Sequence, residues 1–184
     1  MPVYLPQDSD DAALVGRCRA GDAKAFEVLV ERHQRVLQSV AFRMLGNRED
    51  ARDATQTAFV RVFEHLDGYD PDHKFFSWVY RILRNECLNV LRGRRPTEPV
   101  SVELPAAGSP LESLEASERH RRVQTALLAL PVEQREVVVL RHFAGLPYDE
   151  IGTTLGVPAK TVKSRLYAAR QRLGELLLGW DVRS

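Results

Sequence analysis

The sequence predicts an all-α protein in which two small helical domains are joined by a flexible acidic linker, the C-terminal one built on a helix-turn-helix. Three observations carry this. Apolar residues recur at spacings of three and four through most of the chain, and no run alternates with period two. Turn formers break these runs at Gly21-Asp22, Gly46-Asn47, Asp67 to Asp72 and Gly156-Val157-Pro158. Charge is uneven although the formal net is only +1: residues 1–95 hold fifteen Lys/Arg against fourteen Asp/Glu, 96–118 none against five, and 119–184 eleven against six. The chain therefore divides into a near-neutral domain (1–95), a linker (96–113) and a basic domain (114–184).

The same composition excludes several classes. Cys18 and Cys87 are far apart and belong to no metal-ligand spacing, which fits thiols in a reducing compartment. No early apolar run resembles a signal peptide, and no stretch approaches the roughly 18 apolar residues of a membrane span. A cytoplasmic protein without membrane insertion is expected. The five histidines stand in no HExxH or triad setting and no Gly-rich phosphate loop occurs, so neither a cofactor nor an enzymatic activity is expected.

Residues 1–9 are polar and interrupted by proline. Helical periodicity starts at Asp10, with Ser9 or Asp10 as the cap, and Leu14, Val15 and Cys18 on one face. From Ala25 to Leu45, Phe26, Leu29, Val30, His33, Leu37, Val40, Ala41 and Met44 form an apolar stripe. From Arg48 to Leu66, Ala51, Ala54, Ala58, Phe59, Val62, Phe63 and Leu66 face inward. Asp50, Asp53, Gln56 and Arg61 are left outward or at the margins.

The turn-rich loop Asp67–Asp72 leads to a helix from Phe75 to Leu91, with Phe76, Val79, Ile82, Leu83, Cys87 and Leu91 suited to burial. Tyr69, His73 and Lys74 in the loop, and Asn85 and Asn89 one turn apart on the helix, offer the stacking and hydrogen-bonding groups that hold single-stranded bases. Arg81, Arg84, Arg92, Arg94 and Arg95 offer cations for a backbone. Trp78 and Phe76 are read first as core. Asn85 and Asn89 also admit a structural role, as a pair capping the loop.

After the linker, a helix from about Leu114 to Leu130 turns Val123, Ala126, Leu127 and Leu130 inward. Pro131 opens the next, where Val137, Val138, Leu140 and Phe143 continue the core. Tyr148 to Leu155 and the helix after Gly156-Val157-Pro158 then form the helix-turn-helix, glycine giving a left-handed exit and proline suiting a helix start. Val162, Leu166, Ala169 and Leu173 make its inner stripe. The outer face carries Lys160, Thr161, Lys163, Ser164, Arg165, Tyr167, Arg170 and Gln171. Cations for phosphates beside short polar groups for base edges are what a recognition helix needs in a major groove.

LPVEQREVVVLRHFAGLPYDEIGTTLGVPAKTVKSRLYAAR resembles the C-terminal promoter-binding domain of bacterial extracytoplasmic-function (ECF) sigma factors, whose motif runs LPxxxRxVxxLRxxxGLxYxEIAxxLGxxxGTVKSRLxRAR. Two positions depart from it. Lys160 replaces the usual Gly and adds a charge where the recognition helix begins, so promoter preference does not carry over. Gly152 replaces the usual Ala, a change expected to weaken its helix by about 1 kcal/mol at most. DARDATQTAF is similar to the DAxDxxQxxF motif with which these factors hold the clamp helices of RNA polymerase. The resemblance makes Asp50, Asp53, Gln56 and Phe59 the matching positions, Phe59 as internal packing. F-x-x-W-x-x-x-I-x-x-N, from Phe75 to Asn85, resembles the segment that opens and reads the −10 element.

By this resemblance the chain is a sigma factor that binds core RNA polymerase at its clamp helices and flap. The C-terminal domain reads duplex promoter DNA at the −35 element through Arg141, Lys160, Thr161, Lys163, Ser164, Arg165, Tyr167 and Arg170. The N-terminal domain melts and holds single-stranded −10 DNA through Tyr69, His73, Lys74, Asn85, Asn89 and Arg92. An anti-sigma factor or another regulator is the expected further partner. The residues alone leave open a self-sufficient helix-turn-helix repressor or activator, which would bind a palindromic site without polymerase.

Overall fold

A computed structural model describes residues 10–94 and 110–181, with side chains for 10–94 and 118–178. Eight α-helices make up the described residues, and no strand occurs among them: α1 (Asp11–Arg19), α2 (Ala23–Leu45), α3 (Arg48–Glu64), α4 (Phe75–Gly93), α5 (Pro110–Leu128), α6 (Val132–His142), α7 (Tyr148–Leu155) and α8 (Ala159–Asp181). A 3-10 turn, Leu66–Gly68, follows α3. Ser9 and the segment 95–109, which holds most of the expected linker, lie outside the described residues. Helix α5 begins at Pro110, four residues before the expected start at Leu114.

Caps set several boundaries. The Asp22 carboxylate accepts from the Lys24 and Ala25 amides and opens α2, and Asn47 accepts from the Asp50 amide and opens α3. Asp10 stands at the start of α1 but is no side-chain cap, because its carboxylate meets Arg32 at 3.3 Å instead. Asp11 is almost wholly buried, with its oxygens on Arg32 Nη1 at 3.1 Å and His33 Nε2 at 2.8 Å. This explains why His33 lies on an apolar stripe: it ties α1 to α2 beside the rings of Phe75 and Phe76.

Helices α2, α3 and α4 pack on one another around Leu29, Leu37, Val40, Met44, Ala58, Val62, Phe75, Phe76, Val79 and Leu83. Phe63, expected inside, is 59 % exposed, with only an edge contact to Phe26 at 5.0 Å. Helices α5 to α8 surround a second set that includes Leu127, Leu130, Val137, Leu140, Ile151, Val162, Leu166 and Ala169.

The two sets pack directly together, α2 against α5 and α6 and α4 against α7. Arg135 shows how. Its guanidinium donates to the Leu127, Leu128 and Leu130 carbonyls at the end of α5, and to the Met44 carbonyl at the end of α2. Burial first, then nearby Arg94, pushes its pKa down to about 10, so it remains charged near neutrality.

Candidate nucleic-acid interface

The helix-turn-helix forms as its turn chemistry predicts. Gly156 ends α7 at φ 68°, a left-handed conformation, and Pro158 precedes α8. With Val162, Leu166 and Ala169 buried, the opposite face of α8 presents Lys160, Lys163, Ser164, Tyr167 and Arg170 to solvent. Tyr167 is 67 % exposed, an unusual state for an aromatic ring with no partner among the described residues. Ser164 Oγ donates to the Thr161 carbonyl at 3.0 Å, which leaves its lone pairs outward. Thr161 and Arg165 lie at the half-buried margins.

Tyr148, which sequence reasoning did not assign, organises the cations beside this face. The Arg141 guanidinium lies 5.1 Å from its ring centroid and Lys163 Nζ 5.9 Å. Arg141 Nη1 also donates to the Leu146 carbonyl at 3.0 Å, so it is held at the corner beside α8. Burial, then Arg170 and Arg141, hold the adjacent His142 imidazole below its ordinary pKa, which keeps it neutral under this cationic strip.

A second feature lies between α4 and the loop before it. Gly68, Asp70, His73, Trp78, Arg81, Ile82 and Asn85 line an open cavity of about 450 Å³. His73 and Asn85 were expected there; Arg81 was expected only as a backbone cation, and Trp78 first as core. The half-buried indole forms part of the wall. The loop is braced on both sides. Arg19 donates to the Leu66, Asp67 and Tyr69 carbonyls, and the Asp70 carboxylate accepts from the Asp72 amide at 3.0 Å and lies 3.2 Å from His73 Nδ1. Nothing in the local pattern marks Arg19, because its partners lie more than forty residues away.

Four expected residues of this site stand apart from the cavity, Arg92 among them, exposed on the last turn of α4. Tyr69 is buried, its ring against Phe75 and Trp78 and its hydroxyl donating to the His73 carbonyl at 2.7 Å. It is a pillar under the loop, and its buried ring is not part of the cavity wall. Lys74 Nζ lies 3.0 Å from Glu150 Oε2 on α7. Asn89 is exposed one turn past Asn85, and accepts from Arg92 Nη1 at 3.1 Å. Both asparagines being exposed, the pair is no buried loop cap.

On α3, Asp53 and Gln56 are exposed, and Val60 and Phe63 extend their face with apolar surface. Phe59 is buried and anchors the helix from within, as expected of a packing residue. Asp50 is engaged by Arg94, whose Nη1 also donates to the Leu45 carbonyl. Beside this face, Arg35, Gln38, Ser39, Phe42, Arg48, Ala51 and Arg52 line a groove of about 390 Å³.

Among known families, Sigma-70 region 2 matches residues 29–97, and Sigma-70, region 4 matches residues 120–173. An ECF RNA polymerase sigma-E factor of Escherichia coli is 34% identical over 92% of this chain and 95% of its own length. The chain belongs to the ECF sigma factors. A solved structure of CnrH in complex with the cytosolic domain of CnrY superimposes on this sigma factor with a TM-score of 0.76 and 30% identity, over 93% of this chain and 99% of that one. The sigma factor RpoE of Bartonella quintana, solved with the anti-sigma factor NepR, shares the fold at a TM-score of 0.69, with 24% identity over 84% of this chain and 98% of that one. As a sigma factor the chain serves promoter-specific initiation of transcription. Its α4 cavity and α3 face fall within region 2, and its helix-turn-helix within region 4. No helix among the described residues is long and apolar enough to cross a membrane.

Proposed function

We propose that this sigma factor divides promoter recognition between its halves while seated on core RNA polymerase. The exposed face of α8, with Lys160, Lys163, Ser164, Tyr167 and Arg170, enters the major groove of the −35 element. The loop and α4 take an unpaired −10 base into the 450 Å³ cavity. Asp53 and Gln56, with Val60 and Phe63 beside them, meet the polymerase clamp helices, and the C-terminal half meets the flap. Residues 1–95 and 114–184 are the two working units. The protein acts in the cytoplasm without catalysis of its own, and a protein regulator of the anti-sigma type holds it until it is needed.

The cavity carries this reading. An aromatic wall at Trp78, the Asn85 amide, the His73 imidazole and the Arg81 cation meet in one open pocket, and this is the chemistry that retains a base without pairing. Asn85→Ala removes one of those partners while leaving the buried core untouched. Permanganate footprinting of a promoter with core polymerase should show unstacked thymines with the wild type and at least tenfold fewer with Asn85→Ala. A promoter already mismatched at −10 should recover part of the activity, because the unpairing cost is removed beforehand. Equal melting of linear DNA by both proteins would place base capture elsewhere.

A further inference from the structure

The arginines of the N-terminal half divide by what they meet. Arg17, Arg32, Arg61, Arg84 and Arg94 each meet a carboxylate, Arg19 gathers loop carbonyls, and Arg43 and Arg92 donate to amide oxygens. Arg35, Arg48, Arg52 and Arg81 meet no such group among the described residues. Arg81 lines the base cavity beside Asn85. The other three share one place, the groove of about 390 Å³ between the end of α2 and the start of α3.

Local sequence explains the convergence. Arg48 and Arg52 are one turn apart on α3, and Arg35 and Ser39 one turn apart on α2. The turn at Gly46-Asn47 folds the two pairs onto facing banks. The three arginines and Gln38 are exposed, over half-buried Phe42 and buried Ala51. Gln38 and Ser39 have no side-chain hydrogen bond among the described residues, and no carboxylate lines the groove. Arg48 lies 5.6 Å from the Phe42 ring centroid and Arg43 5.9 Å, so cations already engage the one aromatic ring.

Three like charges in one concavity repel one another, and nothing in the groove offsets this. The arrangement favours a ligand that carries several negative charges close together. A phosphate chain does so, and each guanidinium fork matches a pair of its oxygens. The volume falls at the small end of small-molecule sites. An acidic helix of a partner protein fits less well, because a helix in a groove needs apolar pockets for its anchors. Here the exposed lining is guanidinium and amide. DNA at the base cavity does not reach the groove, since α4 packs on the buried sides of α2 and α3 and the groove opens on their outer side. Arg48 precedes the DAxDxxQxxF pattern and Arg52 fills one of its open positions, so this charge belongs to the chain and not to the motif.

We propose that the groove binds a small polyphosphate anion, with Arg35, Arg48 and Arg52 on the phosphate oxygens and Gln38 and Ser39 completing the set. Inorganic triphosphate and the phosphate chain of a nucleotide share this chemistry. Gln56 follows Arg52 by one turn, so an occupied groove crowds the outer face of α3 and lowers affinity for core polymerase. That consequence, unlike the site, rests on the reading of α3 as the polymerase face.

Calorimetric titration of the full-length chain with sodium tripolyphosphate at fixed ionic strength tests the site. One ion should bind per chain; no binding overturns the site. Arg48→Gln with Arg52→Gln should weaken binding at least tenfold, and Arg35→Gln, on the other bank, should weaken it as well. Unchanged circular-dichroism melts without the anion show that these variants fold. The basic face of α8 is the competing location, so Lys163→Gln with Arg170→Gln should bind the anion as the wild type does. Equal loss in the two double variants, or loss in the α8 variant alone, overturns the groove. Adenosine triphosphate binding tenfold tighter than tripolyphosphate supports a nucleotide as the source, and equal binding supports the inorganic chain. A hexaglutamate peptide that binds the groove more tightly than either overturns the phosphate reading in favour of an acidic protein segment. Tripolyphosphate should also lower the affinity of the wild type for core polymerase at least threefold and leave Arg48→Gln with Arg52→Gln unmoved. An equal effect on both overturns the coupling. If no form of the chain binds core polymerase, the α3 reading fails and calorimetry decides the site by itself.

Discussion

A Cβ placed on Gly152 would lie 2.7 Å from the Val157 carbonyl oxygen and 3.4 Å from the Ala159 nitrogen, both backbone atoms. The Val157 amide donates back to the Gly152 carbonyl at 2.9 Å, so the two segments are drawn together at this point. The expectation of a slightly weakened helix therefore misses the larger effect: the corner of this helix-turn-helix closes onto a bare backbone. Gly152→Ala gains about 1 kcal/mol of helix propensity and loses about 1–3 kcal/mol to overpacking. The net cost of up to about 2 kcal/mol corresponds to a fall in Tm of up to about 8 °C in thermal melts followed by circular dichroism. A rise in Tm would show that the turn relaxes freely.

At the same scale, Tyr167 and Arg170 should separate by kind of effect. Both are exposed on α8, but a phenol ring reads base edges and methyl groups, whereas a guanidinium there neutralises phosphate. Tyr167→Ala should change preference at particular upstream bases by about 1–3 kcal/mol each. Arg170→Ala should weaken binding to all duplexes alike and lower the salt slope by about one. Binding of a promoter-variant library at several salt concentrations distinguishes the two, and an unchanged profile with Tyr167→Ala would remove that residue from the readout.

Among the elements, α3 carries two faces of opposite use. Its inner side, with Ala51, Ala54, Ala58, Phe59 and Val62, is buried against α2 and α4. Its outer side shows Asp53 and Gln56 and then two apolar residues, Val60 at 53 % and Phe63 at 59 % exposure. Apolar side chains beside exposed polar ones resemble the mixed anatomy of an interaction surface. Asp53→Arg with Gln56→Ala, and separately Phe63→Ser, should leave the melting curve within about 0.5 kcal/mol of wild type, as surface changes usually do. Each should lower affinity for core polymerase at least tenfold in a co-purification or fluorescence titration. Undiminished binding by both variants would move the contact off α3.

For the whole molecule, stability is tied through Glu136 of α6 to its pairing with Arg84 of α4. Burial raises its carboxyl above the ordinary value, while the hydrogen bonds and charge of Arg84 pull the other way without cancelling the rise. A raised carboxyl takes up protons on folding. Its stabilising contribution is complete below the ordinary carboxylate range and is lost as pH rises through the raised value. Glu136→Gln should therefore flatten stability against pH over that window and cost little at pH 7. Arg84→Ala should cost about 3 kcal/mol at pH 7, at the low end for breaking a buried pair because Arg84 is partly exposed. Denaturant unfolding of the three proteins from pH 4 to pH 8 measures both; equal losses for the two variants would contradict this account.

Read alone, the sequence determined the helical class, most helix boundaries, the left-handed turn at Gly156 and the outward face of α8. These depend on periodicity and turn chemistry within a few residues, which a linear pattern records. The motifs likewise located the face of α3 and the asparagine at the cavity. Only the tertiary structure decided what long-range packing controls. It turned Tyr69 into a pillar and Phe63 outward, brought Arg19 across to brace a loop more than forty residues away, and set Tyr148 between Arg141 and Lys163. It also buried Gln124, Arg135 and Glu136, polar residues that a hydrophobic pattern assigns to solvent. Gln124 and Glu136 find their partners in the other half of the chain, and Arg135 finds one there, the Met44 carbonyl, beside three carbonyls at the end of α5; burying such groups is tolerable only once those partners arrive.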